Sequence, residues 1–265
     1  MNERTHPFTH GGVSGAVIQV LESAQWDLNR MLPESLQLSP AHSTVTYTYA
    51  CAVIVAGGHQ TMVDAGFRAD EVVGALQTLS IAPKDIERVL ITHGDSDHVA
   101  GLLTESEALT FPNARYVLSA SLWQHWHDAA NLDAVPANYK AFCRRLSSAL
   151  AGRVSTFAEE AEIVQGMRFI PCPGHRHGHA VYEFRTAASP ILHFGDTLFH
   201  PLFAENPHWP DTMALDPAQE VASRRRLLER AATTHALVLT GHIPFPGLGT
   251  IQRHGAAFRW QPTTG

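Results

Sequence analysis

A short segment rich in histidine and aspartate, residues 89–101, constrains this chain more than any other part of its sequence. Its apolar start, residues 89–91, predicts a buried strand, and the next seven residues run Thr-His-Gly-Asp-Ser-Asp-His. Imidazole nitrogens and ionised carboxylates bind divalent metals at about 2.0–2.2 Å, so four such side chains just after a strand predict a metal site. The alternative is a polar helix cap with incidental histidines. The four side chains are His93, Asp95, Asp97 and His98.

The charge and composition exclude some classes of partner. The chain has 265 residues, a formal net charge of -6 and 17% charged residues, and only two of its basic residues are lysines. A nucleic-acid or anionic-membrane surface needs clustered positive charge. The one basic run, residues 224–226, falls in a helical pattern and is interpreted as a solvated face. We therefore expect a small-molecule substrate, with no nucleic-acid and no membrane partner.

Cysteine usage and the absence of apolar runs indicate the compartment. Cys51, Cys143 and Cys172 are widely spaced and fit no C-x-x-C zinc pattern. An odd number of cysteines is typical of reduced thiols. No signal-peptide core is visible near the N-terminus, and no apolar run approaches the length of a membrane span. We expect a cytoplasmic protein.

The first half of the chain alternates strands and helices. Residues 1–43 are expected to form a polar tail, a strand and a loop over the mouth of a pocket. A β-hairpin is predicted over residues 44–64, where β-branched residues flank Gly57-Gly58. Residues 68–80 have apolar residues at helical spacing. Such alternation around a buried strand is typical of α/β proteins.

The second half begins with a helical segment, residues 120–151, which we expect to be an insertion that walls the substrate cleft. Short β patterns follow between residues 154 and 194. A helix is predicted to begin after Asp216, since Asp caps it, Pro occupies the first helical position and Gln219 follows three after the cap. A last strand is expected at 237–239. Candidate pocket walls are Trp26, Phe67, Trp123, Phe199, His200 and Trp209.

The string Thr92 to His98 resembles the T-H-x-H-x-D-H signature of the metallo-β-lactamase-fold hydrolases. Asp95 is the one departure, since the family has its second histidine there. Asp64-Ala65-Gly66 resembles the family's V-D-x-G element, in which the aspartate orients the ligand loop from behind. A plain turn aspartate is the alternative for Asp64.

Three later segments match the family in order. Pro173-Gly174-His175-Arg176-His177-Gly178-His179 resembles the loop P-G-H-T-P-G-H, and the match implies His179 as the ligand, with His175 bracing the loop. Gly195-Asp196-Thr197 resembles the G-D-x element, which implies that Asp196 bridges two metals. Gly241-His242 resembles the last ligand element, which implies His242.

The resemblance covers about residues 45–260 and implies a fold. We expect an α/β (α+β) protein, a four-layer αββα sandwich of two mixed β-sheets flanked by helices, forming a single metallo-β-lactamase-like domain over residues 1–265. The segments 206–209 and 244–249 look closest to the branch that contains lactonases and organophosphate-type hydrolases. The homoserine-lactone-cleaving subset has a tyrosine where this chain has Phe199, which puts that substrate in doubt.

The resemblance also implies a mechanism. One metal would be held by His93, Asp95 and His179, and the other by Asp97, His98 and His242, with Asp196 joining both. A bridging hydroxide would attack an ester, lactone or related carbonyl or phosphoryl centre, and Asp97 would take up or relay a proton. Two divalent ions are expected. Zinc is the first choice, and the carboxylate of Asp95 also makes the site hospitable to manganese or iron.

Other functions stay open from sequence. A nuclease or phosphodiesterase of the same fold fits an H-x-D-x-D-H loop, although the acidic charge opposes it. A sulfur dioxygenase with a single iron would use the same scaffold. A non-catalytic metal-binding domain would follow if Asp95 disables the site. A homodimer is also left open.

Overall fold

The computed structural model describes residues 4–133 and 135–263. Of the predicted domain 1–265, residues 1–3, 134, 264 and 265 lie outside the described residues. The strands of the first sheet are β1 (Thr5–His10), β2 (Val13–Asp27), β3 (Thr44–Ala56), β4 (His59–Val63), β5 (Arg88–Leu90), β6 (Arg115–Ser119) and β7 (Val154–Phe157). Those of the second sheet are β8 (Ala161–Val164), β9 (Met167–Pro171), β10 (Ala180–Phe184), β11 (Ile191–His193), β12 (Leu237–Leu239), β13 (Leu248–His254) and β14 (Ala257–Pro262).

Eight α-helices lie among the described residues. They are α1 (Pro40–Ser43), α2 (Ala69–Thr78), α3 (Ser96–Val99), α4 (Ala120–His127), α5 (Ala129–Asp133), α6 (Ala137–Leu150), α7 (Pro201–Glu205) and α8 (Pro217–Thr234). None of the helices in the described part of the chain is both long and apolar enough to cross a membrane.

Both sheets are mixed, and each has seven strands. The first runs in order from β1 to β7, antiparallel from β1 to β4 and parallel from β4 to β7. The second runs from β14 to β8, with only the β11–β12 pair parallel. Because β9 and β11 both pair antiparallel with β10, the loops that follow β9, β11 and β12 lie at one edge of this sheet.

Three apolar layers hold the sheets and helices together. Successive side chains of a strand point to opposite faces, and β5 shows this: Val89 packs in the layer beneath α2, α4 and α6, whereas Leu90 packs between the two sheets. On β12, Val238 faces the layer under α8 and its neighbours face the first sheet. The predicted αββα sandwich is confirmed.

The N-terminal prediction was partly wrong. Residues 5–10 form β1, which pairs with β2 in a hairpin and is half exposed, and this explains its polar sequence. The strand β2 continues to Asp27, whereas a strand is expected from the sequence only over residues 15–21. The following turns do reach the pocket, since Met31 lines it together with Trp26 at the end of β2.

Several predicted elements are confirmed with small shifts of their ends. The hairpin of β3 and β4, helix α2 and strand β12 lie where expected. Helix α8 begins as predicted, because the Asp216 side chain accepts a hydrogen bond from Gln219 N–H at 3.0 Å. The interpretation of residues 224–226 as a solvated face was wrong at Arg224, which is fully buried.

The segment 120–151 is helical, in the three pieces α4, α5 and α6. None of its described residues lines the cavity that contains Asp97 and Asp196, so the expectation that it walls that cleft is not met. It borders a second cavity of about 340 Å³ instead, on another side of Asp95. Tyr139 of α6 supports the Asp95 loop by donating a hydrogen bond to Gly94 O at 2.9 Å.

Candidate metal centre

The polar loops at the ends of strands from both sheets meet at one point. The loop after β5 carries His93, Asp95, Asp97 and His98, and the loops after β9, β11 and β12 carry His175, Asp196 and His242. The candidate ligands therefore come from both halves of the sandwich. A rigid strand supports each loop at its base, and such support keeps the ligand side chains in fixed positions.

Asp196 lies at the centre of the cluster. Its Oδ1 is 3.2 Å from His98 Nε2 and 3.1 Å from His242 Nε2. Its Oδ2 is 3.5 Å from His93 Nε2 and 3.3 Å from His175 Nε2. One carboxylate thus faces two imidazoles with each oxygen, so it separates the cluster into two halves and touches both.

The inward-facing nitrogens have no hydrogen-bond partners. The Nε2 atoms of His93, His98, His175 and His242 are buried and unpaired. Buried polar atoms are almost always satisfied, because leaving one unpaired is costly. A tetrahedral ion with bonds of about 2.0–2.2 Å holds its ligand atoms about 3.3–3.6 Å apart, which is close to the separations around Asp196. The chemistry of this donor set fits divalent metal.

Three groups of side chains bring their ligand atoms within 4.8 Å of one another. Asp196 belongs to the middle group and links the outer two. The groups are His93, Asp95 and His175; His93, His98 and Asp196; and Asp97, His98 and His242.

Asp64 orients His98 from behind. It follows β4 and is buried, and its Oδ2 accepts a hydrogen bond from His98 Nδ1–H at 2.7 Å. The same carboxylate accepts from Thr92 N–H at 2.8 Å and from the Thr92 hydroxyl at 2.7 Å. Burial alone raises the pKa of Asp64, but the His98 imidazole outweighs it and leaves the pKa below its ordinary value. This hydrogen bond at Nδ1 turns His98 Nε2 towards the cluster.

His242 is fixed in the same way by backbone and by aromatic rings. Its Nδ1–H donates to Thr48 O at 2.8 Å, so Nε2 points at Asp196. The ring of Tyr47 stacks on the imidazole with centroids 4.3 Å apart, and Phe199 stacks at 5.3 Å. Strand β3 of the first sheet therefore holds a side chain that the second sheet supplies.

The structure places the two histidines of the loop after β9 differently from the prediction. His179 belongs to none of the three groups: its Nδ1–H donates to Cys172 O at 3.1 Å and its Nε2 accepts from Asp196 N–H at 3.0 Å. Both ring nitrogens are thus occupied by backbone. His175, expected only to brace the loop, presents Nε2 to Asp196 in its place. Which of two histidines in one loop faces inward depends on loop geometry that spacing does not fix.

The carboxylates control the charge state of the imidazoles. Burial lowers the pKa of His98, but Asp196, Asp97 and Asp64 outweigh burial and leave the pKa well above the ordinary value. Asp196 and Asp97 also keep the pKa of His242 raised. By contrast, burial lowers the pKa of His175 to about 4. The cluster attracts positive charge most strongly around Asp196.

Asp95 lies at the edge of the cluster, where its Oδ2 is 3.7 Å from His93 Nε2 and 3.9 Å from His175 Nε2. It is also bound by Arg176, whose Nε–H approaches Oδ2 at 2.8 Å. Asp97 is part-exposed and lies 3.4 Å from His98 Nε2 and 3.6 Å from His242 Nε2.

A cavity of about 190 Å³ opens over the cluster. Its walls include Trp26, Phe67 and Phe199, as expected, whereas Trp123, His200 and Trp209 are absent from its lining. Polar lining residues are Asp95, Asp97, His175, Arg176, Asp196 and Asp211. The remaining lining residues are Met31, Tyr47, Tyr49 and Met213.

Sequence reasoning missed His175 as a cluster member, and also Arg176 and Asp211. Asp211 is buried, and its Oδ2 has no partner. Burial raises the pKa of this carboxyl. No motif marks Asp211, but Arg176 stood in a loop already singled out, next to a histidine.

A family model described as the metallo-beta-lactamase superfamily matches residues 47–242 of the chain. A comparison with curated proteins found no match.

Solved structures give the same picture of the fold. The hydrolase AbOPH, of the beta lactamase superfamily, is 20% identical with a TM-score of 0.86, over 100% of this chain and 99% of that one. AidC, a dizinc quorum-quenching lactonase solved with a product, is 19% identical with a TM-score of 0.84, over 98% of each chain. An N-acyl homoserine lactone hydrolase, with its product at the catalytic metal centre, is 17% identical with a TM-score of 0.66, over 88% of this chain and 98% of that one.

Proposed function

The chain belongs to the metallo-β-lactamase superfamily, and on that premise we propose that it is a metal-dependent hydrolase acting on an uncharged ester, lactone or related carbonyl or phosphoryl substrate. The single observation that carries the proposal is the convergence of four unpaired imidazole nitrogens on Asp196. Relatives of the same fold include a dizinc lactonase.

Two divalent ions, zinc by preference, would be held on either side of Asp196. The first would be held by His93, Asp95 and His175, and the second by Asp97, His98 and His242. When bound, such ions act as Lewis acids that acidify water and polarise the oxygen of the scissile group. The carboxylate of Asp95 adds a hard ligand to the first site, which makes manganese or iron more acceptable there than in a site of imidazoles alone.

The side chains around the ions would transfer the proton and hold the ligands in place. Asp97 lines the cavity and is part-exposed, so its carboxylate can accept the proton that the attacking water releases. Asp64 and Thr48 keep the Nδ1 protons of His98 and His242 on the outer side of the rings. His179 Nε2 accepts a hydrogen bond from the backbone N–H of Asp196 and so holds that backbone in place.

The cavity walls support an uncharged substrate. Trp26, Tyr47, Phe67 and Phe199 provide apolar and aromatic surface for a substrate side group. Among the described residues of the lining, Arg176 is the one Lys or Arg, and it is already paired with Asp95. Apart from the ions themselves, an anionic substrate such as a nucleic-acid phosphodiester would meet several carboxylates and no unpaired cationic side chain among the described lining residues, which counts against a nuclease.

A hydrolysis screen tests the proposal. Lactones, aryl esters, thioesters, phosphotriesters and a phosphodiester are offered to the purified protein before and after removal of metal with a chelator. We expect turnover of at least one uncharged substrate, its loss on chelation, and its return with zinc or manganese. No turnover of any uncharged substrate by metal-loaded protein, or turnover that survives complete chelation, would contradict the proposal.

A pair of variants tests the assignment of ligands within the loop after β9. His175→Ala is expected to remove one bound ion per chain, measured by elemental analysis, because the first group of ligands loses an imidazole. His177→Ala is the matched control, since His177 stacks on His125 with centroids 4.1 Å apart and lies outside the cluster. Equal metal content in both variants would show that His175 is not a ligand.

A further inference from the structure

Asp95 and Arg176 form an ion pair at the edge of the candidate metal centre. The Nε–H of Arg176 approaches Asp95 Oδ1 at 3.0 Å and Oδ2 at 2.8 Å. The Nη1 of the same guanidinium donates to His175 O and to Met213 O, both at 2.9 Å. Arg176 is therefore fixed by hydrogen bonds to Asp95, to its own loop at His175 and to Met213.

Both partners depart from the patterns that the chain otherwise follows. Asp95 stands where T-H-x-H-x-D-H has a histidine, and Arg176 stands where P-G-H-T-P-G-H has a threonine. The two positions are 81 residues apart in the chain and belong to loops of different sheets, yet their side chains are in contact. One departure adds a negative charge and the other adds a positive charge, so together they leave the formal charge of the site unchanged.

A carboxylate can serve both neighbours at once. Each ionised carboxylate has about four lone-pair positions, so Asp95 can accept from Arg176 with both oxygens and still offer a second lone pair of Oδ2 towards His93 and His175. The guanidinium draws electron density outward and holds the carboxylate in one orientation. Outer partners of this kind typically change metal affinity about 10- to 100-fold when they are removed.

Resting on the proposed function, we propose that Arg176 is a positioning residue for the first metal site: it fixes Asp95 and cancels its charge, so that the pair replaces one neutral imidazole. The ion at this site then experiences the same net ligand charge as a site of three histidines. Arg176 is not a catalytic residue, because it acts through Asp95.

Restoring the family's histidine at position 95 alone is expected to weaken metal binding. Asp95→His recreates the T-H-x-H-x-D-H signature, but it leaves the guanidinium of Arg176 without its partner and next to a dication. An uncompensated charge in a part-buried position is unfavourable. The restored histidine should therefore bind metal poorly until Arg176 is removed as well.

The experiment compares the wild type, Asp95→His and the double variant Asp95→His/Arg176→Thr. Metal-free proteins are titrated with Zn²⁺ against a chromophoric chelator, which gives the affinity of each ion without reference to activity. We expect one of the two ions to bind at least tenfold more weakly in Asp95→His than in the wild type, and the double variant to return to within about threefold of the wild type. Asp95→His/Arg145→Thr is the matched control, because Arg145 forms a surface pair with Glu107 and should not rescue.

A second pair of variants guards against misfolding caused by the larger imidazole. Asp95→Asn keeps the size of the side chain and should also lose at least tenfold, and Asp95→Asn/Arg176→Gln should regain most of that loss. The inference is overturned if Asp95→His binds two ions as tightly as its double variant, or if Asp95→Asn loses nothing. If the wild type itself binds no ion, the proposed function fails instead, so the two failures are distinguishable.

Discussion

At the scale of single residues, the clearest feature of the site is that two inward-facing imidazoles, His98 and His242, have their other nitrogen fixed by a hydrogen bond. Asp64 accepts from His98, and Thr48 accepts from His242. A hydrogen bond at Nδ1 sets the tautomer and the ring orientation, and so prepares Nε2 for a cation. The candidate centre is therefore preorganised by side chains that do not themselves touch the ion.

Asp64→Asn is expected to weaken metal binding about 10- to 100-fold. The amide cannot accept with the strength of the carboxylate from His98 and Thr92 together, and it can present an N–H to His98 Nδ1. Chelator competition on the metal-free protein measures the change. Asp70→Asn, at an exposed position on α2, is the control. An unchanged affinity in Asp64→Asn would mean that the carboxylate does not orient the ligand.

The residue scale also shows where sequence was sufficient. The order His93, Asp97, His98, Asp196, His242 was visible because each of these elements follows a strand and carries its own small motif. The choice between His175 and His179 was not visible, since both lie in one loop and only the path of its backbone decides which Nε2 points inward. The partnership of Asp95 with Arg176 was hidden for a similar reason: the sequence contains both departures, but not their contact.

At the scale of elements, α8 does more than cover the second sheet. Its Arg224 is fully buried, pairs with Glu220 one turn earlier, and donates to Thr197 O at 3.3 Å and Trp209 O at 2.6 Å. Thr197 follows Asp196 directly, so the helix holds the loop that carries the central carboxylate. The helical period places Arg224 on the same face as Leu227, Leu228 and Ala231, so its burial was predictable from the sequence.

Arg224→Met is expected to destabilise the protein by about 3–5 kcal/mol, because it leaves the Glu220 carboxylate buried without its partner. Urea denaturation measures the free energy of unfolding. Arg225→Met, at the exposed neighbouring position, should change it by less than about 0.5 kcal/mol. The double variant Glu220→Leu/Arg224→Met should recover part of the loss. A stable Arg224→Met would show that the pair contributes nothing to α8.

The same scale explains which elements sequence failed to predict. The strands β1 and β8 are short and half exposed, so their apolar alternation is weak. The second half of β13 is exposed and polar, so it lacks the alternation that marks a strand. In β14 that alternation is present, because Phe258 and Trp260 are buried and their neighbours are more exposed. Long buried strands such as β3 were predictable because their β-branched residues continue over many positions.

At the scale of the whole molecule, the two sheets are joined through their shared interior. The hydroxyl of Tyr182 on β10 lies 2.8 Å from Ile91 O, directly after β5, and 3.1 Å from Val117 O on β6, and its one proton is shared between these two carbonyls. Packing between the sheets lies directly beneath the metal cluster. Burial there also affects titration, and lowers the pKa of His193 to about 4.

The metal-free protein is expected to lose stability as the pH falls from about 6.5 to about 4. His193 titrates near 6.5 in the unfolded chain, so over this interval the unfolded state binds a proton that the folded state does not. The lost stability from this residue amounts to about 3 kcal/mol. His193→Gln, which keeps an acceptor for Gly195 N–H, should flatten the profile measured by urea denaturation in the presence of chelator. His254→Gln, at an exposed position, should leave the slope unchanged, and an equally steep profile in both would refute the assignment.

The chain builds the first sheet completely, through β7, before it begins the second at β8. During synthesis, His93, Asp95, Asp97 and His98 therefore emerge long before His175, Asp196 and His242 exist. A nascent chain halted between Phe157 and Ala161 would contain the ligands of the first sheet but none of those of the second. Metal binding is therefore expected only after the second sheet has been synthesised. If the two sheets were produced as separate polypeptides, neither would be expected to bind the ions without the other.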